Sequence, residues 1–162
     1  MRKLGTCATF QREAFVVNKL EPIVLNVKKL HENATLPTVG YAGSDLCYDL
    51  YALEDTNLYG MPVKVRTGIA VALPGYGFKI YDRSSISLGG LFIIGGVIDA
   101  SYRGEIFVNM ASLNFRTTTI KAGDKIAQME PRIPQTHFPI IRVDELPPGE
   151  RGDKGYGSTG SR

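Results

Sequence analysis

The chain has 162 residues, a size at which one domain can bury a core without disulfides or a structural metal. With 43% hydrophobic and 22% charged residues it has the composition of a soluble globular protein, which excludes a fibrous or wholly disordered chain. A net charge of only +3, spread along the chain, argues against nucleic-acid wrapping, and no apolar run approaches the roughly 20 residues of a membrane span.

Residues 1–22 show weak periodicity, end at Pro22 and form an N-terminal extension without assigned structure. After Met1-Arg2-Lys3 the polar residues Gln11, Arg12 and Glu13 leave no apolar signal-peptide core. Cys7 and Cys47 lie far apart without metal-ligand spacing, which suits reduced thiols of a soluble cytoplasmic protein. Runs rich in Val, Ile, Phe and Thr predict strands at Ile23–Leu30, Val63–Thr67, Ile69–Leu73, Gly77–Tyr81, Leu91–Ile98, Glu105–Met110 and Lys125–Met129. Gly and Pro punctuate these runs, and no long segment keeps a helical apolar period, so residues 23–146 are expected to fold as one all-β domain, a sandwich or barrel. From Pro147 to Arg162 the chain is rich in Gly, Ser and charge, the composition of a flexible arm.

Several segments carry residue types suited to chemistry. Val97 to Glu105 places Asp99 and Tyr102 in a turn between two hydrophobic runs, read as the tip of a β-hairpin. Asp99 there is either a turn cap or a carboxylate general base, and Tyr102 either packs locally or stacks on a sugar. Arg83-Ser84-Ser85 follows a predicted strand and offers a guanidinium and two hydroxyls, good donors for phosphate oxygens. Asp49 falls at a loop-to-strand transition, where it caps a turn or orients a metal-bound water. Gln128, in a strand entered through Gly123-Asp124, can donate from its amide to an anion. Arg151, Tyr156, Ser158 and Thr159 suit either a mobile tail or a flap over an anionic, aromatic ligand. His31 and His137 stand apart from any nucleophile elbow, so a hydrolase triad has little support.

Taken in order, five segments resemble the motifs of the trimeric deoxyuridine triphosphatase (dUTPase) family. They are Ser44–Leu50, Arg83–Ser85, Gly96–Gly104, Gly123–Gln128 and Arg151–Gly160, with the third the most diagnostic. The resemblance implies a distorted jelly-roll (β-clip) domain, a homotrimer with active sites shared between subunits, and hydrolysis of dUTP to dUMP and pyrophosphate. That reaction keeps uracil out of DNA and supplies dUMP for thymidylate synthesis. By the same resemblance Asp99 is the general base for in-line attack at the α-phosphorus, Tyr102 lies under the deoxyribose, and the main chain at Gly96, Val97, Ile98 and Phe107 reads uracil. Arg83, Ser84, Ser85 and Gln128 match phosphate contacts. Magnesium is carried mainly by the triphosphate, with Asp49 touching it through water. Arg151 matches a γ-phosphate clamp, Tyr156 a ring stacking on uracil, and Gly157, Ser158 and Thr159 the closing arm, which is expected to order over ligand.

The chain departs from the family pattern at Leu46-Cys47, where small residues are usual, at Lys154, and at Asp82, where proline is common. The stretch from Arg83 to Asp99 is also slightly short. A carboxylate at 82 opposes anion binding unless it pairs with Arg83 or points away. The enzymatic rival is dCTP deaminase, which resembles dUTPase but carries a glutamate where this chain has Arg103; Glu105 is displaced from that place by roughly 6–7 Å along a strand. A non-catalytic dUTP sensor acting on a regulatory protein partner is the other rival.

Overall fold

A computed structural model of the chain describes residues 22–148. In chain order its strands are β1 (Asn26–Lys29), β2 (Tyr48–Tyr51), β3 (Thr56–Leu58), β4 (Val63–Arg66), β5 (Ile69–Ala72) and β6 (Gly77–Tyr81). A five-residue helix, α1 (Ser84–Leu88), follows, and then β7 (Leu91–Ile93), β8 (Val97–Ile98), β9 (Phe107–Ser112), β10 (Thr118–Ile120) and β11 (Lys125–Arg132). The expected all-β class holds. The extension at 1–21 and the arm residues Arg151, Lys154, Tyr156, Gly157, Ser158 and Thr159 lie outside the described residues.

Four antiparallel sheets share one core. Their orders are β1-β5, β3-β10, β2-β11-β6-β8 and β4-β9-β7. Alternation sets the inward faces: in β9, Val108, Met110 and Ser112 are buried while Phe107 and Asn109 turn outward. Leu50, Val65, Ile80, Ile106 and Ile126 join them from the other elements in a single hydrophobic cluster. Side chains of opposite sheets thus exclude water from each other, the main favourable term in folding. Thr67 is buried among them because its hydroxyl donates to the Ile106 carbonyl at 2.6 Å, which settles both polar groups.

The structure corrects the sequence reading at several points. Leu91–Ile98 is two strands rather than one. Gly95 and Gly96 both adopt positive φ (83° and 92°), a region open to glycine, and this rotation takes the chain off β9 and onto β6. Nor is Val97–Glu105 a simple hairpin tip: β8 pairs with Phe78 and Lys79 of β6, whereas Phe107 pairs with Arg66 of β4, so the intervening loop bridges two sheets. Strands β3 and β10 were not anticipated, each being only three residues long. Asp49 lies inside β2 rather than at its entrance, and Ser84 and Ser85 open α1 rather than lying in a loop.

Candidate active site

The predicted site residues that lie among the described residues fall into two clusters set at opposite ends of β6. At its C-terminal end, β2 and β6 flank β11 so that Gln128 stands opposite both Asp49 and Tyr81. A β-bulge between Lys125 and Ala127 buries Ile126 and Ala127 in succession, and the displaced register turns Gln128 the same way as Asp49. Two residues beyond Tyr81, Arg83 caps α1. Asp49, Arg83, Ser84, Ser85 and Gln128 then line one cavity of about 840 Å³.

Asp49 organises the cations of this cavity. Its Oδ1 accepts from Arg83 Nε and its Oδ2 from Lys125 Nζ, both at 2.8 Å. The Lys125 ammonium is accordingly held above its ordinary pKa, first by that hydrogen bond and then by the carboxylate charge, and stays protonated. Asp49 keeps only 17% of its side-chain exposure, so the pairs act where solvent screens them less than on an open surface. Lys125 does not stand out within the Gly123–Gln128 segment; its place three residues before Gln128 is the only sequence signal, and the register set by the bulge brings it to Asp49. Gln128 donates to the Asp82 carbonyl at 2.7 Å, leaving its second N–H for a ligand. Cys47 lines the same cavity, its thiol pKa raised above 9.0 by burial first and by the nearby Glu130 carboxylate next.

The second cluster lies at the other end of β6. Val97, Ile98, Asp99, Tyr102 and Phe107 line a cavity of about 270 Å³ together with Lys64, Glu105 and Asn109. Lys64 Nζ sits 4.3 Å over the Phe107 ring, a cation–π contact at the rim. β8 is the edge of its sheet, pairing on one side with β6, and its Val97 and Ile98 line this cavity. Gly96 itself is used structurally, its carbonyl accepting from Ile80 N–H at 2.8 Å. Asp99 is exposed, and its carboxylate has no protein hydrogen-bond partner among the described residues; its carbonyl accepts from Tyr102 N–H at 3.0 Å, which closes the turn. The Tyr102 ring folds back across Gly104, where a Cβ would lie 2.7 Å from Cζ, and its hydroxyl donates to the Glu105 carbonyl at 2.9 Å.

Glu105 is committed to architecture. Its carboxylate accepts from Arg66 Nε and Nη2 at 3.1 and 3.2 Å and from the buried Gly68 N–H at 2.9 Å. Arg103 in turn donates to the Ala100 and Tyr102 carbonyls at 2.8 and 2.7 Å. Neither residue presents a free carboxylate beside Asp99, so the deaminase arrangement is not built here.

Among the described residues no group of three or more His, Cys, Asp or Glu could hold a metal. Each Asp49 oxygen, however, keeps a lone pair beyond its ion pair, which fits a carboxylate that touches a hydrated ion through water.

A cationic pocket with hydroxyls, joined on the same small β domain to a compact pocket with an open strand edge, a tyrosine ring and a carboxylate, defines a nucleotide-binding protein. The dUTPase family pattern matches residues 32–160, and the chain belongs to that family. It is 38% identical over 144 residues to the deoxyuridine 5'-triphosphate nucleotidohydrolase of Hydrogenobaculum sp., covering 85% of this chain and 99% of that one. The enzyme of the same name from Paramecium bursaria Chlorella virus 1 is 39% identical over 141 residues, covering 84% and 97%. Among solved structures, a mutant dUTPase of Staphylococcus bacteriophage 80alpha with dUpNHpp aligns with a TM-score of 0.74 at 27% identity, over 85% of this chain and 98% of that one. A mutant dUTPase of phage phi11 of S. aureus, described with a structural Mg(II) ion, aligns with a TM-score of 0.69 at 26% identity, over 76% and 98%.

Proposed function

We infer that this protein hydrolyses dUTP to dUMP and pyrophosphate, with Asp99 as the general base. The observation that carries the reading is the edge strand β8, whose Val97 and Ile98 line the small cavity together with Asp99, the next residue in the chain. Main-chain donors and acceptors of Val97, Ile98 and Phe107 pair with the uracil edge, and cytosine would meet them with its donor and acceptor pattern changed. A buried mismatch of that kind costs more than a lost methylene. Tyr102 supports the deoxyribose. Asp99, one residue beyond the base-reading strand, takes a proton from a water in line with the α-phosphorus.

Arg83, Ser84, Ser85 and the free N–H of Gln128 bind phosphate oxygens, with Lys125 adding charge. Asp49 would face the hydration shell of a magnesium ion carried by the triphosphate, an ion that would supply charge neutralisation on the phosphates. Arg151, Tyr156, Gly157, Ser158 and Thr159 close over the ligand and exclude water from it.

The active form is a homotrimer. Gly77, which lies against the Ile98–Ala100 backbone, and Arg83 are six residues apart, a separation of roughly 20 Å along an extended chain and wider than neighbouring phosphates. Each site therefore takes its base cluster from one chain and its phosphate cluster from another. The segment after β11 supports this, since Phe138 is 65%, Ile141 75% and Ile140 fully exposed, more apolar surface than a monomer normally leaves in water. The ordinary composition and the unpaired spacing of the two cysteines support a soluble, cytoplasmic enzyme.

The test is pyrophosphate release from dUTP, dCTP, dTTP and UTP with magnesium, with products resolved by chromatography. Release from dUTP alone, yielding dUMP, is expected. Conversion of dCTP to a uracil nucleotide would point to the deaminase instead, and tight dUTP binding without turnover to a sensor.

A further inference from the structure

The loop that carries Arg83, Ser84 and Ser85 is held by the residue before it. Asp82 Oδ1 accepts a hydrogen bond from the backbone N–H of Ile93 at 2.7 Å, and the Asp82 carbonyl accepts from Gln128 Nε2 at 2.7 Å. Ile93 ends β7, the edge strand of the β4-β9-β7 sheet. The next residue, Ile94, donates to Asn109 of β9, so the Ile93 N–H points away from β9 and needs another acceptor. The carboxylate supplies it. Charge-assisted bonds of this kind are shorter and stronger than neutral ones. Asp82 therefore clamps the start of the phosphate loop to two sheets at once, and its negative charge is spent on a backbone N–H rather than directed into the cavity.

We propose that Asp82 is a positioning residue for phosphate binding, acting through Arg83 by fixing where the loop leaves β6. This rests on the dUTPase reading above. Arg83 has two constraints, the Asp49 ion pair on its side chain and the Asp82 clamp on its backbone, and its carbonyl also receives the Ile86 and Ser87 N–H groups that begin α1. Loosening the backbone anchor moves the guanidinium and both serines together. Since the loop grips phosphates in ground state and transition state alike, the loss appears in KM and leaves kcat in place.

The experiment measures KM and kcat for dUTP, the Kd of a non-hydrolysable imido analogue of dUTP, and melting temperature, for wild type, Asp82→Ala, Asp82→Glu and Asp82→Asn. Asp82→Ala removes the acceptor, and Asp82→Glu keeps the charge but moves it by a methylene. Both are expected to raise KM and Kd by about fivefold or more, with kcat within about twofold of wild type. Asp82→Asn retains an acceptor without charge and is expected to stay near wild type. Should Asp82→Ala fail to fold, Asp82→Glu carries the comparison. Wild-type KM in Asp82→Glu, or lowered melting temperature with unchanged KM and Kd, overturns the positioning role while leaving dUTP hydrolysis intact. An inactive wild-type protein overturns the functional reading and this proposal with it.

Discussion

Replacing Asp99 by asparagine removes a base and almost nothing else. The Asp99 carboxylate accepts no hydrogen bond from the described residues, and the turn it occupies is closed by its own carbonyl and the Tyr102 N–H, which asparagine leaves in place. The substitution is therefore expected to leave the melting temperature unchanged. If Asp99 takes the proton from the attacking water, turnover falls by at least ~100-fold, equivalent to about 2.7 kcal/mol of transition-state stabilisation. Binding of an imido analogue should survive, because the strand edge of Val97 and Ile98, the Tyr102 ring and the Arg83 cluster are untouched. Initial rates from pyrophosphate release, run beside calorimetric binding and thermal melting, separate the three quantities. Turnover within a few-fold of wild type, with intact binding, would refute the assignment of Asp99 as base.

Glu105→Ala should act on stability instead of chemistry: it strands the buried Gly68 N–H, a loss of about 1–3 kcal/mol, or a melting point lower by roughly 3–10 °C. Folded Glu105→Ala protein is expected to keep dUTP turnover; abolished turnover at unchanged stability would contradict this. Deletion after Leu146 should leave a folded trimer with little activity, checked by light scattering and rate, and full activity would show that the arm is dispensable. Cys47, with its thiol pKa raised by burial, is expected to alkylate slowly at neutral pH and faster as pH rises past 9.0, followed by site-resolved peptide mass spectrometry. A bound imido analogue should slow the reaction, and equal labelling with and without it would argue against phosphates in that cavity.

The sequence alone determined the class of the fold and the family, and it named the candidate site residues. Short Val- and Ile-rich runs cut by Gly and Pro cannot bury a helical stripe, so an all-β domain follows from pattern, and the ordered motifs point to the family. Several things it did not determine, because they depend on contacts between residues distant in the chain. The Leu91–Ile98 run reads as one strand by hydrophobicity, and only the positive φ of Gly95 and Gly96, with β6 waiting alongside, divides it. Strands β3 and β10 are too short to announce themselves and exist through each other, Thr118 to Ile120 pairing with Leu58 to Thr56. Asp82 looked unfavourable beside a phosphate loop until β7 supplied an N–H for its carboxylate. The same holds for Asp49, Arg83 and Lys125, spread over 76 residues of chain, whose ion pairs arise because β2 and β6 flank β11 and a bulge sets the register. Local pattern decides which elements form; which side chains meet is decided by sheet order and register, where a one-residue slip would turn each of them to the opposite face.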